Sequence, residues 1–352
     1  MTEGTETVDH VGGSEGRPTG DDGRESNRRS ISPLRLVEQG FERYSLVIVF
    51  VVLVVVFSAI EPGTFATVEN AKTITTTQAI VAILALAAMV PLIAGQFDLS
   101  VGFQLGVSQA ICAGLVIKSG LPIGVAAIAA IGVTSCIGVI NGLLVVKAKI
   151  NAFIATLGSG TVVLGITLWY TNGQSIFGEM PESFLELGRG NLFGVPLPLI
   201  YVIAIAAVLW LLFEYTAWGR SAVATGGNAR AALLAGVRTD RVTMVCYVIS
   251  GVICGFAGVL SVAILGSANP DVGPSFLLPA IAGAFLGATS IRPGRFNAIG
   301  TVLAVYVLAV GITGLQQLGA PFFIESIFNG CALLLAVALS GWAARRRGEE
   351  PA

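Results

Sequence analysis

The chain has 352 residues, of which 54% are hydrophobic and 12% are charged, with a formal net charge of −1 and a mean hydropathy of +0.83. Soluble domains carry about 25% charged residues, so these values exclude a soluble enzyme, a nucleic-acid-binding domain, a disulfide scaffold and a disordered chain. They predict an all-α, polytopic membrane protein, and the 44 glycines fit helices that pack closely.

The N-terminal region divides into a polar tail and a short amphipathic segment. Residues 1–31 hold few apolar side chains and are predicted to form a disordered cytosolic tail. This tail contains the one histidine, His10, so no metal site or histidine-based catalytic site is expected. Ser32 can cap a helix and apolar residues then recur at helical spacing, which predicts an interfacial helix at 32–43.

Ten apolar stretches follow in a predicted transmembrane domain at 44–344, before a predicted cytosolic tail at 345–352. Most approach the roughly 20 residues that a spanning helix needs. Two are weaker predictions, open to being broken or partly re-entrant, because one carries several polar residues (99–117) and the other is short (276–290). The ten stretches lie at 44–60, 74–94, 99–117, 121–146, 150–170, 196–213, 242–264, 276–290, 296–317 and 325–343.

The basic residues indicate an orientation for these spans. With both termini in the cytoplasm, the inner segments hold 17 of the 20 Lys and Arg residues, and only Lys72, Lys118 and Arg189 lie outside. Basic residues favour the cytoplasmic side of short loops. The asymmetry therefore predicts a multi-pass plasma-membrane or inner-membrane protein with ten spans and cytoplasmic N- and C-termini.

Charged side chains are missing from long parts of the membrane domain, including 119–146, 150–178 and 242–270. A charge at a helix centre costs about 2.5–3.5 kcal/mol on insertion scales, so the charges that are retained usually serve ion or proton pathways. Asp98 is the nearest candidate, and its expected role is to cap the helix that begins there. An ion-coupled secondary transporter is therefore the less favoured interpretation.

The inner loop at 214–241 contains the sequence A-T-G-G-N-A-R-A-A-L-L-A-G-V. Asn228 is a good N-cap and Gly236 a natural terminator, which predicts a helix of about two turns. The loop is either a solvated connector or a short helix that docks into another protein. Three apolar side chains favour docking: Leu233, Leu234 and Val237. The chain has no Gly-Lys pair and so no P-loop, which means that another subunit must hydrolyse any ATP that drives it.

This loop resembles the ATPase-coupling loop of the ribose/xylose-type sugar ABC-transporter permeases, A-x-G-G-N-x-x-A-A-x-x-x-G-[IV]. Other blocks resemble the same family: G-Q-F-D-L-S-V-G at 95–102, N-G-L-L-V-V-K at 141–147, F-I-A-T-L-G at 153–158 and T-N-G-Q-S at 171–175. At 287–300 the chain departs from the glycine-rich run of the family. The resemblance and the docking interpretation together assign the residues of the predicted coupling loop. The resemblance gives Gly226, Gly227, Asn228, Ala231, Ala232, Gly236 and Val237, and the docking interpretation adds Leu233 and Leu234.

The resemblance implies a non-catalytic permease subunit of an ATP-driven importer that translocates a ribose- or xylose-like monosaccharide. The chain itself would bind no cofactor, and ATP with Mg²⁺ would act on a cytosolic ATPase subunit. An extracytoplasmic binding protein and a second permease copy are the other implied partners. Nucleoside and branched-chain amino-acid permeases remain alternatives. The residues predicted to line the path are Gln78, Gln96, Phe97, Asp98, Asn141, Asn151, Phe153 and Gln316.

Two octapeptides in the chain are similar to each other. The inner octapeptide, 95–102, and the outer octapeptide, 266–273, both begin and end with Gly and share a Val and a central Asp or Asn. Five predicted spans separate them, so a duplication of helices 2–5 as 7–10 would be inverted, with the path at the repeat interface. Chance similarity between glycine-rich loops explains the likeness equally well.

Overall fold

The computed structural model describes the backbone of residues 33–346 and the side chains of residues 44–338. The predicted N-terminal tail at 1–31 lies outside the described residues. Of the predicted C-terminal tail at 345–352, the first two residues belong to the last helix and the others lie outside the described residues. The helices and strands in chain order are α1 (Pro33–Ile60), α2 (Val68–Thr77), α3 (Ala79–Ile93), α4 (Val101–Ile117), α5 (Ile123–Val146), α6 (Ala152–Thr171), β1 (Ile176–Phe177), α7 (Glu182–Arg189), β2 (Asn191–Leu192), β3 (Val195–Pro196), α8 (Leu197–Tyr215), α9 (Ala217–Gly227), α10 (Ala229–Leu234), α11 (Thr239–Leu265), β4 (Ser267–Ala268), α12 (Gly273–Gly287), α13 (Ala298–Gln317) and α14 (Ile324–Arg346).

The helices confirm an all-α, polytopic membrane protein. In the described part of the chain, six helical segments are long and apolar enough to cross a membrane, counting α2 and α3 together. Four further apolar helical segments are shorter: Tyr44–Ile60, Val101–Ile117, Gly273–Gly287 and Ile324–Ala338. Each predicted apolar stretch overlaps one of these segments.

Three boundaries differ from the sequence-based prediction. The predicted interfacial helix and first span are one continuous helix, α1, because neither Gly nor Pro occurs between residues 43 and 60. Helix α4 is unbroken, since the interruption falls before it, at 94–100. Helix α12 begins earlier than predicted, with Pro274 in its first turn, and it continues through Pro279.

The centre of the bundle is α3, in which every residue is buried. It packs against α11, α12, α13 and α8. Helices α5, α6 and α8 surround this core and expose apolar side chains such as Ile128, Val162 and Ile203, as a lipid-facing surface requires. The polar residues of α4 face inward: Ser108 Oγ donates to the Gly255 carbonyl (2.7 Å) and Gln109 Nε2 donates to Ser261 Oγ (2.6 Å). These bonds join α4 to α11 inside the core.

The two octapeptides share two local backbone features, although only the outer one contains a strand, β4. Gly95 and Gly266 both adopt left-handed conformations, with φ of 73° and 74°. Asp98 Oδ1 accepts a hydrogen bond from the N–H two residues later (3.0 Å), and Asn269 Oδ1 accepts from the Asp271 N–H in the same way (3.0 Å). Around them, α4 packs against α5 and α6 as α12 packs against α13 and α14. These likenesses favour an inverted duplication over chance.

The last glycines of the octapeptides touch each other at the centre of this arrangement. A Cβ added to Gly102 would overlap the Gly273 carbonyl oxygen, and a Cβ added to Gly273 would overlap the Gly102 carbonyl oxygen. Reciprocal contact of this kind is what a two-fold relation between the repeats produces. The backbones of α4 and α12 meet here with no side chain between them.

A short layer of strands and one helix covers the C-terminal end of α11. The predicted orientation places this end outside the cell. β1 pairs with β4 in an antiparallel ladder in which Ile176 lies opposite Ala268. Helix α7 packs beside it, and Arg189 Nε donates to the Ile264 carbonyl oxygen (2.7 Å). The β2–β3 hairpin follows and turns at Phe193 and Gly194. We call this end, with α7, the outer end, and the end with α10 the inner end.

Gly102→Ala should destabilise the protein by about 1–3 kcal/mol, because the added methyl group has no space beside the Gly273 backbone. Gly132→Ala is the matched control, since a Cβ at Gly132 would meet no atom within 4 Å. Thermal unfolding in detergent should show a lower midpoint for the first variant and an unchanged or higher midpoint for the control. Equal midpoints would contradict the close contact.

Candidate functional site

The segment between α3 and α4 holds a buried carboxylate. Asp98 is 2% exposed and is the one buried Asp, Glu, Lys or Arg among residues 44–338. Its Oδ1 accepts hydrogen bonds from the Ser100 N–H (3.0 Å) and the Ser100 hydroxyl (2.5 Å), and its Oδ2 accepts from the Ser250 hydroxyl of α11 (2.8 Å). The predicted capping role at the start of α4 is thus accompanied by a long-range bond to α11.

Ser100 extends this network to two further helices. Its hydroxyl accepts hydrogen bonds from Gln104 Nε2 (2.7 Å) and from Asn141 Nδ2 of α5 (2.8 Å). Because the same hydroxyl donates to Asp98, its single donor and both acceptor positions are used. Asn141 Oδ1 then accepts from the Ser159 hydroxyl of α6 (2.5 Å). Asp98 and Asn141 therefore belong to one buried network that joins α4, α5, α6 and α11.

Backbone groups of the same segment are fixed by side chains from α6 and α11. The Leu99 N–H donates to Thr156 Oγ1 (3.0 Å), and the Tyr247 hydroxyl donates to the Phe97 carbonyl oxygen (2.9 Å). Non-helical backbone that is buried must find such partners within the protein. The non-helical segment therefore has a defined conformation.

Phe97 places an aromatic ring at the inner end of this network. The ring is 40% exposed and stacks on Phe285 at a centroid distance of 6.0 Å. Phe285 in turn meets Phe296 edge to face at 5.3 Å. These three aromatic rings connect the inner octapeptide to the inner ends of α12 and α13.

The other predicted path residues are dispersed. Asn151 caps α6 by accepting from the Phe153 N–H (2.9 Å), and the Phe153 side chain is exposed. Gln78 lies at the junction of α2 and α3 beside a narrow cavity that Glu325 also lines. Gln316 is exposed near the outer end of α13. Gln96 neighbours Phe97 and is half-buried.

Sequence reasoning missed several members of the network: Ser100, Gln104, Thr156, Ser159, Tyr247 and Ser250. Small hydroxylated residues in glycine-rich helices give no local signal, because their partners lie up to 152 residues away. Among residues 44–338, no group of three or more His, Cys, Asp or Glu side chains is placed to hold a metal ion.

A cavity of about 970 Å³ lies between α1, α2, α8 and α13. Its walls are mostly apolar and include Phe50, Ile203, Trp210 and Tyr306. A hydroxylated solute would find few hydrogen-bond partners there. The polar groups around Asp98 lie outside this cavity, and they are hydrogen-bonded to one another.

The predicted coupling loop forms a short helix, α10, with the predicted caps. Asn228 Oδ1 accepts from the Ala231 N–H (2.9 Å), and Gly236 ends the turn with φ of 87°. Leu233 and Leu234 point outward with exposed fractions of 59% and 85%. The sequence analysis did not predict α9, the helix that precedes α10.

Two other apolar side chains of the loop face inward. Ala232 is buried, and Val237 is half-buried against the main hydrophobic core. The expectation that Val237 awaits burial by a partner is therefore wrong, because its own chain already covers part of it. Within α10, the exposed large apolar side chains are therefore Leu233 and Leu234.

The segment that departs from the family pattern, 287–300, forms the loop between α12 and α13. Arg292 makes an ion pair with Glu214 at the inner end of α8. Asn297 caps α13 by accepting from the Gly300 N–H (2.7 Å). Arg292 thus connects this loop to the neighbouring helix.

Asp98→Ala should lower the free energy of unfolding by about 1–3 kcal/mol for each buried donor that it leaves unpaired, chiefly the Ser100 N–H and the Ser250 hydroxyl. Asp271→Ala is the control, because its side chain is exposed and its backbone N–H keeps the bond to Asn269. Thermal unfolding in detergent measures both. Similar midpoints for the two variants would contradict a structural role for Asp98.

Comparison with known proteins identifies related permease components over most of the chain. Residues 70–337 match the family model described as the permease component of the branched-chain amino acid transport system. The ribose import permease protein of Bacillus subtilis is 36% identical over 289 residues, which cover 82% of this chain and 89% of the relative. The ribose import permease protein of Escherichia coli K12 is 32% identical over 316 residues, 89% of this chain and 96% of the relative.

Another relative is the D-allose transport system permease protein of Escherichia coli K12, which is 30% identical over 299 residues, 85% of this chain and 91% of the relative. No solved structure matches the chain significantly. The family consists of ABC-transporter permease components, which are non-catalytic membrane subunits. With its apolar helices, its outward-facing α10 and a match over most of its length, the chain belongs to this permease family.

Proposed function

We propose that the chain is the membrane-spanning subunit of an ATP-driven sugar importer, with ribose- or xylose-like monosaccharides as its substrates. The observation that carries the proposal is the identity of 32–36% to ribose import permeases over more than four-fifths of the chain. The D-allose permease adds support for a neutral, hydroxylated substrate. Nucleosides and branched-chain amino acids are the alternative cargoes.

The proposed partners follow from this function. A cytosolic ATPase subunit would bind and hydrolyse ATP with Mg²⁺, and an extracytoplasmic binding protein would deliver the sugar. A second permease copy, identical or related, would complete the translocation path. We also propose that both termini face the cytoplasm, which puts α10 on the side of the ATPase, in agreement with the distribution of Lys and Arg.

The proposed mechanism is alternating access. ATP binding would close the ATPase dimer and displace α10, and the permease helices would rearrange around a central path. We assign the exposed Phe97, with Gln96 and Phe153, to the inner mouth of that path and Gln78 and Gln316 to its outer part. Asp98 and Asn151 would shape the path by holding backbone N–H groups. Asn141 would do so through the hydroxyls of Ser100 and Ser159.

The function is tested by reconstituting the permease with its ATPase and binding protein in liposomes. Uptake of labelled ribose should require ATP and persist without pH or sodium gradients, and xylose should compete better than uridine or leucine. Asp98→Asn should retain ATP-driven uptake, because an amide keeps an oxygen for the Ser100 N–H. Gradient-driven uptake without nucleotide that Asp98→Asn abolishes would instead identify a secondary transporter.

Docking of the ATPase is expected to depend on Leu234. Leu234→Asp would bury an unpaired carboxylate at the interface, which should weaken capture of the ATPase by at least about tenfold without preventing folding. Phe193→Asp is the control, since Phe193 is 99% exposed at the opposite end of the bundle. Co-purification with the tagged ATPase measures the effect. Equal capture by the Leu234 variant and wild type would leave the loop as a solvated connector.

A further inference from the structure

We propose that the two octapeptides form a relay that transmits movement of the ATPase-docking helix α10 to α7 at the outer end, with Gly226 and Gly95 as its inner joint. The proposal rests on the proposed function, because docking of an ATPase supplies the movement. The relay is a specific route through this chain, and substitutions at its glycines should interrupt it.

The inner joint is a contact between backbones. A Cβ added to Gly226, in the last turn of α9, would overlap the Ile93 carbonyl oxygen and lie 3.0 Å from the Gly95 nitrogen. A Cβ added to Gly95 would lie 3.2 Å from the Gly226 Cα. Only Asn228 separates α9 from α10. Displacement of α10 therefore reaches Gly95 with no flexible side chain to absorb it.

The middle of the relay is fixed by hydrogen bonds and by a second contact between backbones. Asp98 binds Ser100 and Ser250, so the inner octapeptide is tied to α11. At its end, Gly102 lies against Gly273 of the outer octapeptide. A shift of the inner octapeptide thus changes both α11 and α12, which carry the outer octapeptide between them.

The outer joint mirrors the inner one. A Cβ added to Gly266 would lie 3.2 Å from Arg189 Nη2 and 3.6 Å from Leu185 Cδ2, both on α7. In the same helix, a Cβ added to Gly188 would overlap the Ala263 backbone of α11. The first glycine of each octapeptide therefore contacts a peripheral segment at its own end: α9 inside and α7 outside. The two octapeptides thus make corresponding contacts at opposite ends of the bundle.

Gly226→Ala in the complete transporter tests the inner joint. The added methyl group should separate α9 from the octapeptide, so that the sugar transported per ATP hydrolysed falls by about tenfold. Gly165→Ala is the matched control, because a Cβ at Gly165 would meet no atom within 4 Å. The ratio of labelled ribose taken up to phosphate released in liposomes measures both variants. A wild-type ratio in Gly226→Ala would overturn the relay.

Hydrogen–deuterium exchange gives a second test whose main comparison, the wild-type complex with and without ATP, needs no variant. ATP should change the exchange of residues 95–102 and of α7 together, and Gly226→Ala should suppress the change in α7. An ATP response confined to α9 and α10 would overturn the relay, even if the Gly226 variant does not assemble. Absence of ATP-dependent uptake by wild type would instead refute the proposed function, so the two failures are distinguishable.

Discussion

The hydrogen bonds of the buried Asp98 carboxylate are the constraint on which the arrangement of the central helices depends. A charge in a low-dielectric interior is costly unless several donors satisfy it. Ser100 supplies two donors from the start of α4, and Ser250 supplies one from α11. The carboxylate therefore fixes the distance between the non-helical segment and a helix that lies far away in sequence.

The non-helical segment at 94–100 also needs partners for its own buried backbone groups. Unpaired backbone groups are not tolerated in lipid, so a non-helical segment needs partners from the protein around it. Thr156 and Tyr247 provide them for the Leu99 N–H and the Phe97 carbonyl oxygen. Close packing of α4 against α12 at Gly102 and Gly273 excludes lipid from the same region.

The sequence predicts the features that depend on local chemistry. Asn228 and Gly236 set the ends of α10 through a cap and a left-handed turn, and apolar runs of sufficient length identify the membrane helices. It does not predict α9, whose sequence ends in Thr225-Gly226-Gly227, because packing against α8 and α3 stabilises that helix. Nor does it predict the pairing of Asp98 with Ser250, which depends on the tertiary structure.

The two octapeptides differ in how they contact the segments around them. At the inner end Asp98 is buried and bound to α11, and Gly95 meets the backbone of α9 directly. At the outer end the equivalent Asn269 is exposed, and Gly266 meets the flexible side chains of Leu185 and Arg189. A contact through side chains yields more easily than a contact between backbones. The inner joint is therefore the stiffer one, as expected where a partner supplies force, and the outer joint is the more compliant, as expected where the path must open to a solute.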